Sequence, residues 1–244
     1  MTSDRIALSG APGSPYTRKM LSVLRYRRIP YRFLIGSHGG HAGLPKPKVE
    51  LLPTFYLPGA NGALEAVVDS TPIIRRLEAD HPGRAVVPAD PALRFLDELL
   101  EDYSDEWLTK AMFHYRWAYA QDVAQAAAIL PTWGRAAMSD ETLAAIGKTV
   151  SGRQIPRLSY VGSNDLTGPV IEASYLRFLE IFEDHLRSHR FLLGGRPGAG
   201  DRMFCADSMR TCVSICAFGD SGTCTAIWSP SKSALNAAQT SGCS

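Results

Sequence analysis

The chain has 244 residues, 45% of them hydrophobic and 20% charged, with a formal net charge of +2 at pH 7. That length allows one large domain or two small ones with a sizeable core. So balanced a charge gives no support for nucleic-acid binding, and no apolar run nears the roughly 18 residues of a membrane-spanning helix. The opening MTSDRIALSGAPG lacks a basic start followed by an apolar stretch. No secretion signal is therefore expected, and a cytoplasmic location is.

In chain order, Arg5 to Leu8 form a short strand-like run, followed by a turn-prone stretch from Ser9 to Pro15. From Pro15 the pattern becomes helical, with Met20, Leu21, Val23 and Leu24 between basic residues. Proline suits a first helical turn, where its missing N–H costs nothing. Tyr31 to Ile35 supply a second strand, and a Gly/Pro/His-rich loop follows from Gly36 to Pro47. Leu51 to Leu57 are strand-like except for Pro53, which belongs at an edge, a bulge or a cis turn. Asn61-Gly62 is a hairpin signal, and Leu64 to Val68 give the returning strand. Asp69-Ser70-Thr71-Pro72 then opens a helix with Ser70 as its expected N-cap and Ile73, Ile74 and Leu77 on the buried side.

After about residue 88 the strands stop. One helical run is expected from Pro91 through Phe95, Leu96, Leu99, Leu100, Tyr103, Trp107 and Leu108, continuing to Ile129. Others are expected from Asp140 to Ile155 and from Pro169 to His189, the latter with Tyr175, Phe178, Phe182 and Leu186 at helical spacing. All five cysteines lie after residue 201, where only five of the last 43 residues are charged, against 45 of the first 201. With no CxxC pair and no histidine in that segment, a metal or disulfide role is disfavoured. A shifted reading frame near Arg202 produces such a change of composition. Translating the other frames tests it, because one of them must then encode a leucine-rich amphipathic helix after Asp201.

Chemistry concentrates at two helix starts. Ser14 puts a hydroxyl where free N–H groups and partial positive charge favour an anion, so it can donate to a ligand thiolate and lower its pKa. A plain turn or cap role is the competing reading, and Tyr16 is the neighbouring candidate for the same donor. Asp69 and Ser70 repeat the arrangement at the second helix: a carboxylate for an ammonium, and a hydroxyl with an N–H for a carboxylate. A cis Pro53 between them would turn the backbone of Leu52 outward, to pair with a peptide-like ligand in strand fashion. His38 and His41 lack a third ligand and are expected to be solvated, as is the basic cluster Arg25, Arg27, Arg28 and Arg32.

These motifs resemble a cytosolic glutathione transferase of the serine type. The likeness lies in Ser14-Pro15-Tyr16-Thr17-Arg18-Lys19 after the first strand, the proline in the third, Asp69 to Ile74 opening a helix, and Phe191 to Asp201. It covers roughly residues 5–201. The resemblance implies an α/β thioredoxin-like N-terminal domain over 1–86, binding glutathione as co-substrate without a metal. An all-α C-terminal domain over 87–244 would contribute the pocket for a small hydrophobic electrophile, with 202–244 atypical. It implies Ser14 as the catalytic thiolate donor and Tyr16, Leu52, Pro53, Asp69 and Ser70 as glutathione contacts. Phe113, His114 and Trp117 are candidates for the electrophile pocket, with helix–helix core as their alternative. In the family, an aspartate at the position of Asp201 closes an N-terminal capping box. Thr17 stands where a dithiol oxidoreductase has its second cysteine, which disfavours glutaredoxin-type redox chemistry. A homodimer is implied as well. The rival reading is a non-catalytic member of the fold that binds glutathione or a partner protein.

Overall fold

The sheet begins with β1 (Ile6–Gly10), and α1 (Pro15–Arg27) carries the chain across to β2 (Tyr31–Ile35), which pairs parallel to β1. The computed structural model describes residues 5–36, 41–133 and 138–208. β3 (Thr54–Pro58) lies antiparallel on the other side of β1, and β4 (Leu64–Val67) pairs antiparallel with β3, giving the order β2-β1-β3-β4. A parallel pair needs a crossover element while an antiparallel pair needs only a turn. The chain accordingly spends a helix on the first connection and the Asn61-Gly62 turn on the last. Gly62 takes a positive φ of 78°, a conformation open to glycine at little cost.

α1 follows from its residues. Ser14 holds extended backbone and accepts the N–H of Thr17 at 3.3 Å, Pro15 occupies the first turn, and Arg28 closes the helix in the left-handed region. α2 (Ser70–Asp80) differs from expectation at its start. Its N-cap is Asp69, whose carboxylate accepts the N–H of Thr71 at 3.2 Å, and Ser70 is the first helical residue. The shorter Asx turn places the cap one residue earlier. Leu8, Phe55 and Leu57 of the sheet meet Met20, Val23 and Leu24 of α1 and Ile73, Ile74 and Leu77 of α2 in one buried core. Each such burial contributes about 1.5–3 kcal/mol.

The helical half departs further from the sequence reading. The run expected to reach Ile129 divides into α3 (Pro91–Tyr103), a π-helical turn (Ser104–Leu108), α4 (Thr109–Trp117) and α5 (Ala120–Ile129). Tyr119 takes extended backbone between α4 and α5, which breaks the helix. A 3-10 turn (Leu130–Trp133) ends α5. Then come α6 (Asp140–Gln154), a 3-10 stretch (Ile155–Val161), α7 (Gly168–Ser188) and α8 (Ala199–Ser208). Leu108, Ala111, Tyr175, Phe178 and Phe204 form a second core. Among the described residues no helix is long and apolar enough to cross a membrane.

α3 buries a polar face. Asp97 and Glu101 are interior, while Phe95 is 64% and Leu99 53% exposed. Asp97 shows why. The start of α8 has Asp201 accepting the N–H of Gly198 at 2.8 Å, the expected half of a capping box. Gly198 has no side chain to supply the other half. Asp97 supplies it from α3, accepting the N–H of Ala199 at 3.2 Å and of Gly200 at 3.1 Å. A Cβ on Gly198 would stand 2.2 Å from Asp97 Oδ1, so the glycine makes the room its substitute cap occupies.

Burial drives the Asp97 carboxyl up to about 6, with the two backbone N–H groups pulling the other way. A folded-state pKa above the unfolded 3.8 means that folded chains hold a proton which unfolded chains have released. This group therefore withdraws stability as pH rises from about 4 to 6, by up to about 3 kcal/mol. Urea unfolding at a series of pH values should show that decline, and Asp97→Asn should lack this part of the slope. An unchanged slope in the variant would refute it.

Candidate functional site

Backbone register brings the two helix starts and the proline together. Ser9 pairs with Thr54, so the loop leaving β1 through Gly10 starts beside Pro53. That loop ends at Ser14, closed by the N–H of Ser14 donating to the carbonyl of Ala11 at 2.9 Å. The Leu52–Pro53 peptide is cis. Among the described residues no backbone hydrogen bond engages the N–H or C=O of Leu52. A peptide-like ligand would find both groups available there.

Ser14 is half-buried at the N-terminus of α1. Its oxygen accepts the Thr17 N–H, so the hydroxyl keeps its own proton for a further acceptor. Cap and donor are thus compatible at one atom. Tyr16 is placed differently: its hydroxyl donates to the carbonyl of Asp105 at 2.9 Å, tying α1 to the π-helical turn. Its proton serves that link, which sets it apart from Ser14 as a thiolate donor.

At the second helix start, Asp69 is exposed and accepts one N–H, leaving carboxylate lone pairs for a cation. Ser70 is buried. Its hydroxyl oxygen accepts from Lys19 Nζ at 3.0 Å, which restricts the part expected of it to its N–H and its own proton.

Lys19 is the residue that sequence reading missed. Its side chain is 0% exposed and its ammonium also meets Glu101 Oε1 at 2.6 Å and Asp105 Oδ2 at 2.8 Å. Thr71 adds a bond to Glu101 at 3.0 Å. One cation from α1 therefore binds the start of α2 to α3 and the π-helical turn. Burial pushes the Asp105 carboxyl up to about 6, opposed by Lys19 and assisted by Glu101. Arg27 of the same helix is interior as well, 6% exposed and 3.3 Å from Glu78 Oε1, which corrects its place in a solvated basic cluster. No local signal in the sequence sets Lys19 and Arg27 apart from the exposed Arg25.

The residues proposed for the electrophile pocket separate. His114 is 4% exposed, with Nδ1 2.7 Å from Ser163 Oγ and Nε2 3.1 Å from Glu172 Oε1. Trp117 is 3% exposed. Both belong to helix packing, which corrects their place in an open pocket. Phe113 is half-buried with its ring 6.4 Å from that of Trp117. His41 Nε2 sits 3.0 Å from Ser9 Oγ. His38 lies outside the described residues, as do the cysteines from Cys212 onward and the Cys205 side chain. Among the described residues no group of three or more metal-ligating side chains is found.

Residues 8–85 match the family model described as glutathione S-transferase, N-terminal domain. A comparison with curated proteins finds no match. Among solved structures, the chain is similar to the beta-etherase LigF of Sphingobium sp. strain SYK-6 at 16% identity and a TM-score of 0.56, over 83% of this chain and 82% of that one. It is similar to an epsilon-class glutathione S-transferase of the housefly, Musca domestica, at 14% identity and 0.51, over 84% and 77%. A glutathione transferase family member of Pseudomonas fluorescens Pf-5, solved with two glutathione bound, gives 12% and 0.51 over 85% and 77%. At such identities the likeness concerns the fold: a thioredoxin-like sheet domain followed by helices.

Proposed function

We propose that this chain is a glutathione S-transferase that binds glutathione on residues 1–86 and activates its thiol against a small hydrophobic electrophile held by the helices beyond. Glutathione supplies the sulfur nucleophile. The observation that carries the reading is Ser14, whose oxygen is held by the Thr17 N–H while its proton stays available at a helix N-terminus. Ser14 donates to the sulfur anion and lowers the pKa of the thiol. The N–H and C=O of Leu52, beside Pro53, pair with the peptide backbone, Asp69 takes the ammonium, and the Ser70 N–H takes the neighbouring carboxylate. Conjugation of this kind is a detoxification chemistry and suits the cytoplasm, where thiols stay reduced.

A homodimer is part of the same proposal. The outward face of α3 carries Leu93, Phe95, Leu96 and Leu99, each at least 40% exposed, and such a stripe gains by being covered. Light scattering should give twice the 26.6 kDa chain mass.

The test is calorimetric titration of the full chain with glutathione, followed by turnover of a chlorodinitrobenzene. Binding with turnover supports the enzyme. Binding without turnover returns the non-catalytic alternative, and absence of binding ends both.

A further inference from the structure

We propose that Trp133 forms the wall of the electrophile site beside Ser14 and selects planar aromatic electrophiles, an inference that rests on the glutathione transferase reading above. The indole reaches Ser14 by contact with the preceding residue. A Cβ built on Gly13 would fall 1.6 Å from Trp133 Cζ3, 2.1 Å from Cε3 and 2.9 Å from Cη2. The six-membered ring of the indole is therefore pressed on the Gly13 backbone, where only glycine leaves room for it. One residue further on is the hydroxyl that caps α1.

The helical segment delivers this ring from a fixed base. α5 and α6 approach so closely that a Cβ on Gly147 would stand 2.3 Å from the carbonyl oxygen of Ala127. The 3-10 turn continuing α5 buries Pro131, and Thr132 Oγ1 donates to the carbonyl of Ile129 at 2.7 Å. Trp133 itself is half-buried, with part of its surface on Gly13 and part open to water. With His114 and Trp117 committed to the interior, the indole is an aromatic surface adjoining the sulfur-activating residue. Trp107, 61% exposed, instead has Lys110 Nζ 4.3 Å from its ring centroid.

An aromatic electrophile lying on the indole gains stacking beyond simple burial, about 0.5–1.5 kcal/mol. That corresponds to roughly two- to tenfold in affinity. A small alkyl halide gains almost none of it. In both reactions the sulfur lone pair forms a carbon–sulfur bond, the carbon–halogen bond breaks with its pair leaving on the halide, and the thiol proton passes to solvent.

The experiment compares the full chain with Trp133→Ala on a chlorodinitrobenzene and on iodomethane. The expected result is a KM for the aromatic substrate raised roughly two- to tenfold, with the iodomethane KM and the glutathione Kd unchanged. A second readout is indole fluorescence: S-dinitrophenyl glutathione should quench the unsubstituted chain and quench Trp133→Phe less. Trp133→Leu keeps the apolar bulk without the π face, and gives the same comparison where the alanine variant does not fold. Equal changes for both electrophiles, or none, overturn the role of Trp133 while leaving glutathione activation standing. An unsubstituted chain that neither binds glutathione nor turns over defeats the underlying reading instead.

Discussion

Replacing Ser14 with alanine should lower kcat/KM for a chlorodinitrobenzene by about 10²-fold, the usual loss when one preorganised donor to a developing or stabilised anion is removed. The expectation follows from a single atom with two partners. Ser14 Oγ takes the Thr17 N–H at 3.3 Å as an acceptor, and the hydroxyl proton is left for a further acceptor. Loss of the cap alone costs about 1 kcal/mol of stability, read separately by urea unfolding. The pH profile separates the two effects. With the donor gone the bound thiol titrates at higher pH, so the alkaline rise in kcat/KM moves upward in Ser14→Ala; a purely structural residue would not move it. Tyr16→Phe should stay within a fewfold of the parent, because that hydroxyl serves the Asp105 carbonyl. Full activity in Ser14→Ala, with a large loss in Tyr16→Phe, would reverse the assignment.

What the sequence disclosed and what it hid divide along one physical line. The sheet, α1 and α2 rest on local signals: the aromatic and aliphatic run Tyr31 to Ile35, Pro15 in a first turn, Asn61-Gly62 between two strands. The helical half depends on partners far apart in the chain. α3 carries Leu93, Leu96 and Leu99 at helical spacing, a pattern that reads as a core-facing stripe. The fold instead turns Asp97 and Glu101 inward, because the amides of Ala199 and Gly200 and the ammonium of Lys19 wait there. Those partners lie more than 80 positions away, and no periodicity announces them. Trp133 escaped for a similar reason. Its significance is the bare Cα of Gly13, and a glycine in a turn-rich loop gives no hint of the ring above it. His114 is a pocket candidate as part of the aromatic run from Phe113 to Trp117, yet Ser163 and Glu172 occupy both its nitrogens, as its alternative reading of helix packing requires.

Lys19→Met should destabilise the fold by about 3–5 kcal/mol, the cost of leaving buried charge without its counter-ion. The parent cluster sets one ammonium against Glu101 and Asp105, with Ser70 Oγ as a third acceptor and Asp105 Oδ1 without a hydrogen-bond partner among the described residues. Removing the cation withdraws the attraction that holds the Asp105 carboxyl down against its burial, so its folded pKa climbs above about 6 while the unfolded value stays at 3.8. Folded chains then hold the proton over a wider range, and the deficit should be smallest near pH 4 and grow as pH rises past 6. Exchanging the carboxylates for neutral isosteres in Lys19→Met/Glu101→Gln/Asp105→Asn should recover much of the loss, since an uncharged cluster no longer demands a counter-ion. Urea midpoints across that pH range decide it. A pH-independent deficit, or one the triple variant fails to relieve, would mean that the aliphatic stem of Lys19 matters through its packing and the charge does not. The same variant should also weaken glutathione binding more than Asp97→Asn does, because Lys19 grips the first residue of α2 while Asp97 acts at the distant start of α8.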